Sequence, residues 1–235
     1  MSALTESRAV IDPPRRPAEG ERQRSRRLRG GSIAVVAIAA VLVGFLWVRD
    51  SLAAGDRNQV RIVTDMNALT CEGTSVEGRA TPHVDGSELA MPVAAIEPGM
   101  RCLYTFWVSN QGGRSVDLDR IVFPVLGPSG GAAVEAIELA PLGLGPNPTE
   151  TSDTYTGSPI DAIFDVERDL PADSAMEFSL VIVHRPSGCT PGGGTISWRD
   201  APTITLTARG VTGDRKADNL GFGFLGHPTL NCDEP

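Results

Sequence analysis

Residues Arg101–Val125 read RCLYTFWVSNQGGRSVDLDRIVFPV, and their alternation decides the fold class. Cys102, Tyr104, Phe106 and Val108 share one parity, while Leu103, Thr105, Trp107 and Ser109 share the other. An extended chain therefore presents the first set together on one face. Asn110-Gln111-Gly112-Gly113-Arg114 suits a turn, because glycine tolerates the positive φ that tight loops require. Val116–Val125 returns as a second strand. Its apolar parity changes from Val116 and Leu118 to Ile121, Phe123 and Val125. A one-residue slip turns every following side chain to the opposite face, so a β-bulge or bend is predicted at Asp119-Arg120.

The same period of two recurs outward from this hairpin. Met176, Phe178, Leu180 and Ile182 alternate with Glu177 and Ser179, while Val181 and Val183 make the far half apolar on both faces, as in a central strand. Ile204, Leu206 and Ala208 alternate with Thr203, Thr205, Thr207 and Arg209, which suits a strand with one wet face. Val60–Thr64, Ala132–Leu139, Ile160–Val166 and Thr195–Trp198 are shorter candidates. Pro141–Pro159 and the tail from Gly210 read as loops, with Phe222 and Phe224 of GFGFLG (Gly221–Gly226) tucking against the core. No stretch after Val48 sustains a helical apolar pattern. About eight short strands between Gly/Pro turns imply an all-β, antiparallel β-sandwich.

Upstream, Gly30–Val48 holds no charged residue and follows seven arginines between Arg15 and Arg29. As a helix rising about 1.5 Å per residue it reaches roughly 28 Å, close to a hydrocarbon core of about 30 Å. Clustered arginines stay on the cytoplasmic side, and Trp47 falls at the far interface. The expected organisation is a disordered basic cytoplasmic tail (1–29), one transmembrane helix (30–48), a polar connector (49–58) and an extracytoplasmic β-sandwich (59–235). Ser51-Leu52-Ala53 before Ala54 also fits a leader-cleavage site, but the long apolar run and the intervening Arg49-Asp50 favour a permanent anchor. Ser25-Arg26-Arg27-Leu28 begins like a twin-arginine signal, yet Arg29-Gly30 stands where apolar residues are required.

The net charge of −8 divides unevenly: residues 1–29 carry eight arginines against Glu6, Asp12, Glu19 and Glu21, and residues 49–235 carry the compensating −12. An ectodomain that acidic repels nucleic acid and anionic headgroups. All four cysteines, Cys71, Cys102, Cys189 and Cys232, follow the apolar run, which in an oxidising compartment reads as two disulfides. Of the three possible pairings, Cys71–Cys102 with Cys189–Cys232 is the one in which each bond closes a neighbouring loop. No CxxC spacing supports a zinc or thiol-redox site.

Two fragments carry a family likeness. Cys102–Pro128 (CLYTFWVSNQGGRSVDLDRIVFPVLGP) resembles the strand–turn–strand of immunoglobulin-like domains in bacterial exported proteins, and Leu170–Val183 (LPADSAMEFSLVIV) resembles the opening of a later strand of that fold. The resemblance implies an immunoglobulin-like β-sandwich, without the Cys…Trp…Cys spacing or tyrosine corner of antibody domains. It implies no ligand and no partner, because fold does not carry function with it.

A search for chemistry finds three fragments. Gly127-Pro128-Ser129-Gly130-Gly131 fits GxSxG, but a nucleophile elbow at Ser129 needs a following helix, and Ala132–Leu139 reads as a strand. His83, His184 and His227 are far apart; Met66, Met91 and Met100 offer soft copper ligands near His83, with no paired spacing. In the acidic run Asp161, Asp165, Glu167, Asp169 and Asp173, the Asp165-x-Glu167-x-Asp169 stretch starts like a calcium-binding EF-hand loop, but Leu170 replaces the glycine and Met176 the bidentate glutamate. The sequence therefore leads us to expect no catalytic, metal-binding or cofactor-binding residue. The expected role is a non-catalytic protein of the cytoplasmic membrane that binds or scaffolds an envelope protein or cell-wall component. The alternatives are a ligand- or metal-binding accessory module of a transporter or cuproenzyme, and an exported serine hydrolase using Ser129.

Overall fold

The computed structural model describes residues 19–65, 67–82, 88–147, 160–217 and 221–226. Helix α1 (Glu19–Asn58) precedes strands β1 (Val60–Val63), β2 (Leu69–Glu72), β3 (Val76–Pro82), β4 (Glu88–Ala95), β5 (Arg101–Asn110), β6 (Val116–Phe123), β7 (Val134–Ala140), β8 (Ala162–Leu170), β9 (Ser174–His184), β10 (Thr195–Arg199), β11 (Thr203–Ala208), β12 (Val211–Lys216) and β13 (Gly221–Leu225). The chain divides into two compact units between Val48 and Arg49. Among its described residues the second unit is all-β apart from the last turns of the helix.

Its strands form three sheets. In the first, β5 lies between β9 and an edge made of two pieces, β1 and β2, while β7 closes the other side of β9. The second has the order β10-β13-β4-β3 and the third β12-β11-β6-β8. The β5–β9 pair runs unbroken from Arg101↔Val183 to Asn110↔Ser174. Tyr104, Phe106, Val108, Phe178, Leu180 and Ile182 are all buried on its inner face. From there Phe106 meets Phe123 of the third sheet edge-on at 5.8 Å, and Tyr104 meets Phe222 of the second at 4.3 Å. Each such aromatic, fully removed from water, contributes about 1.5–3 kcal/mol.

The bulge expected at Asp119-Arg120 is present: the register of β6 on β8 shifts between Leu118 and Arg120, and that of β11 on β6 shifts between Thr205 and Leu206. Asn110, 1% exposed, fixes the following turn. Its Nδ2 donates to the carbonyls of Arg114, Leu170 and Pro171, and its Oδ1 accepts from the Gly112 amide.

Helix α1 runs without interruption from Glu19 to Asn58, so that residues 49–58, read as a polar connector, continue it. Leu52, Ala53, Ala54 and Arg57 are good helix formers, and only Gly55 opposes them. The GFGFLG stretch is not loop but strand β13, with Phe222 and Phe224 both fully buried. The sheets are also not wholly antiparallel, because β13 runs parallel to β4 over Gly223↔Val93 to Leu225↔Ala95. The glycines of β13 let its neighbours close in: a Cβ at Gly221 would run into the Trp198 carbonyl, and one at Gly223 would lie 3.1 Å from the Ile196 carbonyl. Most of Pro141–Pro159 and the segments around His83 and His227 lie outside the described residues.

Gly221→Ala should therefore lower stability by about 1–3 kcal/mol, since backbone must shift to admit the methyl. A domain of this size then melts about 2–4 °C lower per kcal/mol. Gly113→Ala, with no neighbour within 4 Å, should leave the calorimetric Tm unchanged.

Candidate functional site

The fragments that looked chemical in the sequence have structural occupations. Ser129 is exposed on a turn that leads into strand β7, so no strand–turn–helix elbow forms there. The turn is held from behind by Arg185, 6% exposed, whose Nε and Nη2 donate to the Ala132 carbonyl (3.0 and 2.7 Å) and Nη1 to the Pro128 carbonyl (2.8 Å). Desolvation lowers the pKa of this guanidinium, and nearby Glu135 opposes the effect. Glycine at 130 is required because a Cβ would overlap the Val125 carbonyl.

The acidic run is dispersed along β8 and its flanks. Asp161 Oδ1 accepts from the Val125 amide at 2.8 Å. Asp165 takes Arg120 on one oxygen (3.1 Å) and Asn147 on the other (2.7 Å). Glu167 (φ 48°) and Asp173 (φ 50°) sit at backbone bends. Among the described residues no group of three His, Cys, Asp or Glu side chains converges as metal ligands. His184 ends β9, opposite Val134, while Met91 and Met100 are separately buried. Met66, His83 and His227 lie outside the described residues.

Cys71 and Cys102 are directly opposed on β2 and β5 and joined by a disulfide (S–S 2.05 Å). Cys189 is also disulfide-bonded, and Cys232 lies outside the described residues.

Two features were not singled out from the sequence. The first is a cleft beside the interruption of the edge strand. Between Val63↔Trp107 and Leu69↔Tyr104 the ladder is interrupted, and the described residues of that loop, Thr64, Asp65, Asn67 and Ala68, lie beside Thr105. The loop is pinned on both sides, by Thr64 Oγ1 donating to the Thr105 carbonyl (2.9 Å) and by the Thr105 amide donating to the Ala68 carbonyl (2.8 Å). Asp65 Oδ1 accepts from the Asn67 amide (2.8 Å), an Asx turn. Facing this loop across a cavity of about 550 Å³ are Val76 and Gly78 of β3 and Ala90, Met91 and Pro92 of β4. Behind Thr64 lies Tyr104, fully buried, its hydroxyl beside the threonine side chain. Burial pushes this phenol well above its ordinary range, outweighing the smaller opposing influence of Thr64.

The second is a clamp between the end of α1 and the β11–β12 hairpin. The two-residue turn, Arg209 (φ 51°) and Gly210 (φ 68°), has both residues in the left-handed region, the geometry that suits a twisted hairpin. Arg49 lies across it, Nε donating to the Arg209 carbonyl and Nη2 to the Gly210 carbonyl, each at 2.9 Å. Arg57 donates to the Val211 carbonyl (2.7 Å), Arg209 pairs with Asp56 (2.6 Å), and Arg215 donates to Asn58 (3.1 Å). Ala53, between these contacts, is fully buried.

No protein-family model and no curated protein matches this sequence. Among solved structures, a structural-genomics target, SoR45, is similar at a TM-score of 0.30 and 14% identity, over 76% of this chain and 94% of that one. A PapD-like domain of human CEP192 is similar at 0.27 and 12%, over 72% and 92% respectively. At these values neither likeness bears on the cleft or the clamp.

Because the Tyr104 phenol stays neutral in the folded protein, its contribution to stability is complete below about pH 10 and falls at higher pH, where the unfolded-state phenol ionises. Tyr104→Phe should leave the phenolate absorbance step of the folded protein unchanged in an alkaline titration. Loss of half the amplitude would show that Tyr104 ionises in the native state.

Proposed function

We propose that this chain is a single-pass membrane protein whose immunoglobulin-like β-sandwich stands outside the cytoplasmic membrane and binds or scaffolds another envelope component without catalysis. The observation that carries the reading is the arrangement at the end of α1. The apolar run ends at Val48, and of the next ten residues Arg49, Asp56, Arg57 and Asn58 are bonded to the β11–β12 hairpin. The helix from Ile38 is long and apolar enough to cross a membrane, with a mean hydropathy of 1.6. Ile38, Val41, Phe45 and Trp47 are all more than 60% exposed, which suits side chains facing lipid. We place the span at Gly30–Val48 and not further along, because Arg49, Asp50, Asp56 and Arg57 are charged and Arg49, Asp56 and Arg57 are bonded to the β11–β12 hairpin.

The clamp also favours a retained anchor. Cleavage after Ala53 would remove Arg49 and the buried Ala53 from the domain they help to complete. The disulfides suit an oxidising compartment. The loops at the ends of the sheets are the surface on which a partner is expected, as in other scaffold-and-loop binding proteins.

The test combines topology with capture. Protease added to spheroplasts should digest the C-terminal unit, and the intact mass of the membrane-extracted chain should include residues before Ala54. Photo-crosslinking from exposed loop positions in living cells should give one reproducible envelope partner. A C-terminal unit sheltered from protease, or a mature chain beginning at Ala54, overturns the anchored reading. A protease-accessible but partnerless domain would remove the scaffolding role.

A further inference from the structure

Strand β3 is the outer strand of its sheet, and its free side is regular and exposed. Val76–Pro82 pairs residue for residue with β4, from Val76↔Ala94 to Pro82↔Glu88, with no register shift. No other described strand pairs with it, and Glu77, Gly78, Arg79 and Ala80 are all exposed. An open edge of this kind is a template for another strand unless it is blunted. The remaining sheet edges are blunted or covered. β1 and β2 are separate pieces, β7 shifts register between Ala136 and Glu138, and β8 bends at Glu167 (φ 48°). Arg57 covers β12 at the Val211 carbonyl, and β10 is exposed only at Thr195.

The ladder with β4 decides which backbone groups β3 turns outward. The Ser75 carbonyl accepts from the Ala95 amide (3.3 Å), so Ser75, Glu77 and Arg79 direct their backbone groups toward β4. Val76, Gly78 and Ala80 direct theirs to the free side. Two features there suit a second copy of the same strand. Glu77 and Arg79 share one face, on either side of Gly78. In an antiparallel pair centred on Gly78, each Glu77 therefore stands opposite Arg79 of the other copy, at the non-hydrogen-bonded position where side chains are closest. Within one strand the two charged groups lie 3.4 Å apart, with the arginine side chain 44% and the glutamate 64% exposed, so both are accessible to another chain. Gly78 itself has no positive φ, and a Cβ there would meet no described atom within 4 Å, so the single chain gives no reason for glycine. Glycine inside a strand marks sites where another backbone approaches closely.

We propose that β3 pairs antiparallel with β3 of a second copy about a two-fold axis at Gly78, joining two four-stranded sheets into one. Gly78 and its counterpart exchange two backbone hydrogen bonds, and each Val76 exchanges two with Ala80 of the other copy. Two Glu77–Arg79 pairs flank the axis. The pairing uses β3 alone and goes beyond the anchored, partner-binding reading.

Sedimentation equilibrium of the full chain in density-matched detergent micelles tests it. Wild type should be dimeric at micromolar concentration. Glu77→Arg makes both crossed pairs repulsive and should weaken dimerisation roughly thirtyfold, as should Arg79→Glu. The double variant carrying both substitutions restores the pairs in reverse and should dimerise like wild type. Gly78→Cys should give a disulfide-linked dimer on a non-reducing gel, whereas Gly113→Cys, away from β3, should not. A monomeric wild type overturns the proposal. So does a dimer that Glu77→Arg leaves unchanged, which would show association through the membrane helix or another surface. Failure of the double variant to recover overturns the crossed Glu77–Arg79 register.

Discussion

Ten consecutive residues of β5 stand opposite ten of β9, and the rest of the β-domain is organised around that ladder. It fixes which side chains face inward, and those aromatic rings contact both other sheets. Slipping the pair by one residue would turn Tyr104, Phe106, Phe178 and Leu180 outward together, so the register is held by the whole core and not by one contact. The bulge in β6 is a consequence: it lets that strand keep Leu118 inside on one side of Asp119 and Ile121 inside on the other.

Much of this was legible because alternation of apolar and polar residues is a direct record of a strand with one buried face. β5, β6, β9 and β11 all show it, and so does the position of the bulge. β13 was not legible for the complementary reason. Five residues of which two are glycine have neither propensity nor pattern, and only the narrow space between β10 and β4 explains why glycine and phenylalanine alternate there. The last turns of α1 were hidden differently: their charges read as a solvated connector, while their partners are carbonyls and side chains some 150 residues away in the chain. Hydrogen bonds to a distant hairpin leave no periodic trace.

The two stretches that most resembled chemical motifs turned out to record packing. GPSGG owes its glycine at 130 to the closeness of the Val125 carbonyl and its shape to the Arg185 guanidinium. The carboxylates from Asp161 to Asp173 serve a turn, an ion pair and backbone bends one at a time. The cleft beside β5 lies where the sequence has only a short turn signal, Asp65-x-Asn67, between two strands. Motif and site separate here because a motif is a statement about neighbours in the chain, whereas binding depends on neighbours in space.

The position of β13 has a consequence for the order of events during biosynthesis. It is the last described strand, yet it occupies the interior of its sheet, between β10 and the much earlier β4. A nascent polypeptide emerging amino end first offers β4 no lateral neighbour on that side until residues 221–225 have been delivered. Closure of this layer thus waits on a segment made more than a hundred residues after β4.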